Sequence, residues 1–176
     1  MAKIITVGAG VQDVFLSQSD ALTPVCESPE HCFAKLELGA KADVNQIHFS
    51  TGGGATNAAV TFARQGHEVM FMGVVGRDPA GQAVLDDLDA ENVDTRYVQF
   101  SQKYNTGYSV LLLAPNGERT ILTYRGASTH YHAADFTVAD IEADWLYVST
   151  LAGQMTVLDK VFREARAAGM KICFNP

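Results

Sequence analysis

The chain has 176 residues, 47% hydrophobic and 19% charged, with a formal net charge of −7. That length suits one domain with a real core, and the acidity argues against nucleic acid or an acidic membrane as a partner held by general electrostatics. No apolar run approaches membrane length, and the first, Ile4-Ile5-Thr6-Val7, is too short for a span or a signal segment.

Residues 3–8 read as a buried β-branched strand ended by glycine. Gly8-Ala9-Gly10 then echoes a dinucleotide fingerprint. Asp13 stands where the third glycine should be, and Val14-Phe15-Leu16 continues extended instead of opening a helix, so a dinucleotide oxidoreductase is the weakest reading. Asp13 itself has two readings, a ligand-binding carboxylate beyond a strand end or a turn cap.

Residues 19–32, with Pro24 and Pro29, read as loop. Residues 33–38 and 45–50 read as half-wet strands around Gly39-Ala40-Lys41-Ala42-Asp43. Cys26, Cys32 and Cys173 are odd in number and form no C-x-x-C, so reduced thiols in a cytoplasmic protein are the expectation. His31-Cys32 with Cys26 falls short of a zinc pattern in spacing and ligand count.

Ser50-Thr51-Gly52-Gly53-Gly54-Ala55-Thr56-Asn57 follows, a triple-glycine turn entering a helix over 55–65 that Gly66 ends. Its glycines admit close backbone approach, and the helix start favours oxygen-rich or anionic groups. Asn57 can donate and accept. The stretch is either a floor for a polyhydroxylated small molecule or a turn needed only for packing.

A second buried strand spans 69–75, and Gly76-Arg77-Asp78-Pro79 turns into a helix reaching about residue 92. Asp78 reads as its N-cap. Residues 95–100 read as a short strand. Residues 106–114 and 119–124 form a hairpin around Asn116-Gly117. Arg125 either holds a phosphate or carboxylate bidentately or is a solvated charge. His130 and His132 fall in a polar loop, and 136–141 reads as a short helix. A strand over 145–149, a helix over 154–168 stopped by Gly169, and a strand over 171–174 complete the pattern. Strands alternating with helices predict an α/β fold with a doubly wound, mostly parallel, Rossmann-like sheet. The half-wet strands within 14–50 and 106–124 predict a small antiparallel β lid over its ligand end.

Asp13, Ser50-Thr51-Gly52-Gly53-Gly54-Ala55-Thr56-Asn57-Ala58-Ala59 with Ala63-Arg64-Gln65-Gly66, and Gly73-Val74-Val75-Gly76-Arg77-Asp78-Pro79-Ala80-Gly81 occur in order. Asn92-Val93-Asp94-Thr95, Thr106-Gly107 and Asn175-Pro176 follow them. Together they resemble the ribokinase family, the PfkB carbohydrate kinases, across nearly the whole chain. The resemblance implies a ribokinase-like fold and transfer of the γ-phosphoryl of ATP to a hydroxymethyl of a sugar or nucleoside. It implies that Asp13, Asn57 and the backbone of Gly52 and Gly53 hold substrate hydroxyls. Ser109 and Leu111 would close over the sugar, and a further contact would fall near Thr150; Arg125, from its own chemistry, is counted with these substrate-binding residues. It implies ATP and Mg2+ as cofactors, and a lid whose open edge offers a surface for a homodimer.

The family's second signature, D-T-x-G-A-G-D, which supplies the catalytic base and an anion hole, has no match here. The resemblance therefore implies that residues 1–176 are the N-terminal, substrate-binding portion of one kinase domain. The C-terminal part of the fold would then be absent, and the base, nucleotide and magnesium sites would lie beyond residue 176. The alternative is a truncated, non-catalytic sugar-binding homologue.

Overall fold

A computed structural model describes residues 1–176. Its main sheet is five-stranded and parallel, built from β1 (Lys3–Val7), β6 (Glu68–Met72), β8 (Val93–Asp94), β12 (Trp145–Ser149) and β13 (Lys171–Asn175), in the order β13-β12-β1-β6-β8. β1 is central because Ile4, Ile5, Thr6 and Val7 are all buried, so both faces of the strand need cover. Ile5, Val7, Met70, Met72, Leu146 and Val148 point to one face, where α3 (Met155–Ala167) packs through Val157, Leu158 and Val161. Val69 and Phe71 point to the other, against Ala55 and Ala59 of α1 (Gly54–Arg64) and Val84 and Leu88 of α2 (Pro79–Ala90). Each fully buried side chain of this size contributes roughly 1.5–3 kcal/mol. The alanines on α1 let that helix lie close to the sheet.

The second sheet has four strands in the order β11-β10-β2-β5: β11 (Arg119–Tyr124), β10 (Gly107–Leu113), β2 (Val11–Ser17) and β5 (Gln46–Gly52). β2 pairs antiparallel with β5 but parallel with β10. The expected antiparallel lid is therefore a mixed sheet. Its central strand is the extended run after Gly10, which enters the second sheet directly. Because that run is a strand and not a helix, the dinucleotide reading falls.

Other local expectations change as well. Of residues 33–38 only Phe33 is in a strand, and the segment read as loop contains a hairpin, β3 (Val25–Ser28) with β4 (His31–Phe33). It sets Cys26 opposite Cys32, and the two are disulfide-bonded, contrary to the expectation of reduced thiols; Cys173 alone is free. The expected strand 69–75 divides at Gly73 into β6 and β7 (Val74–Gly76), which join different sheets; a Cβ at Gly73 would fall 2.6 Å from the Gly8 carbonyl oxygen, so the position needs glycine. The strand expected over 95–100 shifts to β9 (Gln99–Ser101), which pairs with β7. Residues 136–141 form no helix; a short 3-10 turn lies before them at Ala133–Asp135, and Phe136 and Val138 serve as loop anchors buried in the core.

Candidate functional site

The strand order reverses between β1 and β12, and a crevice outside the carboxyl ends of the strands at such a point is where open α/β sheets bind ligands. Three elements meet there: the Gly8–Gly10 turn, the amino end of α1, and the start of the second sheet.

In that second sheet Asp13 is the register partner of Ser50 on one side and Ser109 on the other. All three side chains share one face, since directly opposed residues project together. Gly52 lies two residues beyond Ser50, and a Cβ there would fall 2.5 Å from the Asp13 Cγ. The carboxylate thus occupies the space that a side chain at position 52 would need. Burial pushes the Asp13 carboxyl above the usual carboxylate range, while the Ser109 hydroxyl beside it pulls the other way. Leu111 lies two residues along β10 on the same face and is buried.

Gly53 has φ +110° and caps α1. A Cβ there would sit 2.8 Å from the Ala9 carbonyl carbon, so position 53 needs glycine for conformation and for space. The buried Thr56 hydroxyl donates to the Gly52 carbonyl at 2.7 Å and contacts the Gly53 carbonyl at 3.0 Å, which locks the turn. The amino end of α1 leaves backbone N–H groups without partners in the helix, a favourable place for ligand oxygens. Asn57, one turn in, is exposed and opens onto a cleft of about 540 Å3 shared with His48, Ser50, Thr51, Arg64 and Asp87.

Asp13, Gly52, Gly53, Ser109 and Leu111 are therefore brought to one region, and Asn57 lies one helical turn past Gly53 in a cleft that those five residues do not line. Arg125 is not drawn in by any ion pair. It is exposed just after β11, where its carbonyl accepts from the Ser128 hydroxyl at 2.6 Å. Thr150 is exposed at the end of β12. The inward-facing residue there is Ser149, fully buried, with a hydroxyl that has no hydrogen-bond partner. A Cβ at Gly8 would land on that hydroxyl, and one at Gly54 would lie 2.9 Å from the Ser149 Cβ.

Ser50 and Ser149 were not singled out from sequence. Counting by twos back from Gly52 would have found Ser50. Ser149 needed the β1–β12 pairing. Asp78 caps α2 as expected, accepting from the Gly81 N–H at 2.8 Å, the Thr106 N–H at 2.8 Å and the Thr106 hydroxyl at 2.7 Å. This ties α2 to the start of β10. His130 is structural: its ring stacks on Tyr104 with centroids 3.6 Å apart.

A parallel sheet wound on both faces, with a second sheet rising beside a glycine-lined helix start, defines the ribokinase-like class of α/β proteins. The chain belongs to the pfkB family carbohydrate kinases, whose family pattern it matches over residues 25–175. It is 27% identical over 178 aligned positions to the ribokinase of Staphylococcus aureus (strain COL), covering 99% of this chain and 54% of that protein. It is 28% identical over 130 positions to a fructokinase of Salmonella typhimurium, covering 71% of this chain and 42% of that one. The fold matches that of Arabidopsis thaliana ribokinase complexed with ribose and ATP, with a TM-score of 0.76 at 18% identity, over 98% of this chain and 53% of that structure. The chain thus spans about half the length of the relatives it matches.

No group of three or more His, Cys, Asp or Glu side chains is gathered to hold a metal ion. Residues 1–176 do not offer a clustered donor set that fits a divalent cation. No helix is long and apolar enough to cross a membrane.

Proposed function

We propose that residues 1–176 form the N-terminal, substrate-binding portion of a carbohydrate kinase domain that phosphorylates a hydroxymethyl of a sugar or nucleoside. The observation that carries this reading is the Asp13–Ser50–Ser109 row set against the glycine turn at the start of α1. ATP, when bound, supplies the phosphoryl group; its site and that of Mg2+ are assigned to family-type structure outside these residues. The residues present act on the acceptor. Asp13 accepts hydrogen bonds from ring hydroxyls, Ser109 and Ser50 flank it, and Asn57 and the free N–H groups of α1 bind further oxygens. Leu111 presents an apolar wall that excludes water. Arg125 and Thr150, both exposed, are assigned as further contacts made when the second sheet closes over the substrate. Each hydrogen bond to the Asp13 carboxylate is of the charged kind, worth about 1.5–3 kcal/mol.

The second sheet also supports a homodimer. On the face opposite Asp13, the register aligns Leu122, Val110, Val14 and Phe49 in one row and Leu112, Leu16 and Ile47 in the next. Val14 in the middle of the first row is buried, but Phe49 and Leu122 on the two outer strands are 56% and 57% exposed, apolar edges of the kind that mark an interface.

Thermal unfolding of the 176-residue chain with sugars and nucleosides tests the reading. A ligand at ~100 times its Kd stabilises by about 2.7 kcal/mol, or roughly 5–10 °C for a domain of this size. The wild type should respond to ribose, fructose or a nucleoside, and Asp13→Ala should not. A wild type that answers to none of them, or a variant that responds equally, would sink the assignment.

A further inference from the structure

We propose that Cys26 and Cys32 form a reversible thiol–disulfide switch that sets the order of the segment joining β2 to β5, and through it the outer end of the four-stranded sheet. Three observations carry this. First, the two residues are direct cross-strand partners in the β3–β4 hairpin and are bonded to each other. Both are exposed, so a soluble thiol can reach the sulfurs.

Second, little else holds the segment. Its ends are closed where Asn45 donates to the Gln18 carbonyl through both its backbone N–H, at 3.3 Å, and its side chain, at 3.0 Å. Between these ends Leu22 is the one residue buried among large hydrophobics, while Val25, Phe33, Leu36 and Leu38 are exposed. The hairpin packs chiefly on itself. A segment with so little burial orders weakly by contacts alone, so a covalent tie has leverage.

Third, the hairpin faces the sheet. A cleft of about 380 Å3 lies between them, with Leu22, Pro24 and Phe33 on one side and Leu112, Ala114 and Thr120 on the other. Leu112 belongs to β10, the strand that also carries Ser109. The proposed switch acts across this cleft on the tip of β10 and β11.

The chemistry is thiol–disulfide exchange with a low-molecular-weight disulfide such as oxidised glutathione. One cysteine thiolate attacks it, forming a mixed disulfide and releasing one small thiol. The second cysteine thiolate attacks that mixed disulfide, closing the Cys26–Cys32 bond and releasing the second small thiol. In sum, one protein dithiol is oxidised, one small disulfide is reduced to two thiols, and the protein thiol protons leave with those thiols. Reduction is the reverse. Closing so short a loop removes roughly fifty-fold of the open hairpin's conformational freedom.

The test equilibrates the intact chain in glutathione buffers of varied reduced-to-oxidised ratio, then reads alkylation by mass and amide hydrogen exchange. Cys26 and Cys32 should take up alkyl groups together, zero or two, as the ratio changes, with Cys173 labelled throughout as the internal control. In the reduced form amides of β3 and β4 should exchange up to about fifty-fold faster. Those at Ala114 and Gly117 should quicken too, while those of β1, β6 and β12 stay unchanged. The double variant Cys26→Ser/Cys32→Ser should match the reduced form at every ratio. The proposal fails if the two cysteines never pair, or never reduce, across the glutathione range. It also fails if exchange is the same in both states, if the double variant behaves as the oxidised form, or if reduction unfolds the main sheet as well.

Discussion

Gly52→Ala tests whether Asp13 and the glycine turn are one constructed unit. A Cβ at position 52 would meet three Asp13 atoms, with Cγ at 2.5 Å and Oδ1 at 2.9 Å. The carboxylate must then leave its position. Forcing it off its rotamer costs about 0.5–1.5 kcal/mol, and crowding a packed site costs ~1–3 kcal/mol. Together a loss of about 1.5–4.5 kcal/mol is expected, or roughly 3–18 °C in Tm. Urea unfolding with an unchanged m-value would assign the loss to the native state. The decisive measurement is the cycle with Asp13→Ala. Without the carboxylate the extra methyl has room, so the double variant should be less destabilised than the sum of the singles by about 1–2 kcal/mol. Additive losses, or a Gly52→Ala protein as stable as wild type, would refute the geometric reasoning.

Asp13→Asn addresses pH. The folded-state pKa of Asp13 is raised, chiefly by burial, so the folded protein holds this proton more tightly than the unfolded chain does. Its contribution to stability is therefore present below the ordinary carboxylate value and lost as pH rises through the raised one. At neutral pH Asp13→Asn should be at least as stable as wild type, with the difference vanishing in acid; a variant clearly less stable at pH 7 would contradict this. Asp78 has the opposite sign: burial raises its pKa, but the hydrogen bonds from Thr106 and Gly81 outweigh it and the net shift is downward. Its contribution holds above the ordinary carboxylate value and fades as pH falls. Asp78→Ala should cost about 2–4 kcal/mol through the lost cap and the unpaired Thr106 groups, and a loss under 1 kcal/mol by urea titration would show that the tie is not stabilising. If the apolar face of the second sheet joins two subunits, Phe49→Glu should convert a dimer to a monomer in sedimentation equilibrium. A wild type that is monomeric at all concentrations, or a variant that stays dimeric, would remove that interface.

Much of the architecture is local and was legible. β1, β5, α1, α2, the β10–β11 hairpin, β12, α3 and β13 fall where periodicity, Pro79, Asn116-Gly117 and Gly169 place them. The misread elements depend on distant partners. Residues 33–38 alternate like a strand, but beyond Phe33 they find no neighbouring strand. Residues 136–141 read as a short helix, yet Phe136 and Val138 fill the core from a loop. The β3–β4 hairpin lies in a proline-containing polar stretch whose pairing no hydrophobic pattern announces. Asp13 was visible as a carboxylate beyond a strand. That Ser50 and Ser109 stand on either side of it follows only from register, which joins residues 37 and 96 positions away.

What the sequence determined by itself is the alternation of strands and helices, the glycine turn before α1, the cap at Asp78 and, through ordered motifs, the family. These depend on residues close together in the chain, where spacing and side-chain type carry the signal. Tertiary structure alone decided that β2 leaves the main sheet to pair between β5 and β10, setting Asp13 between two serines with its carboxylate in the space left by Gly52. It also decided that Ser149, and not Thr150, turns inward against Gly8 and Gly54, and that Cys26 meets Cys32. Each of these depends on which strand lies beside which and in what register. A shift of one residue would turn the same side chains to the opposite face.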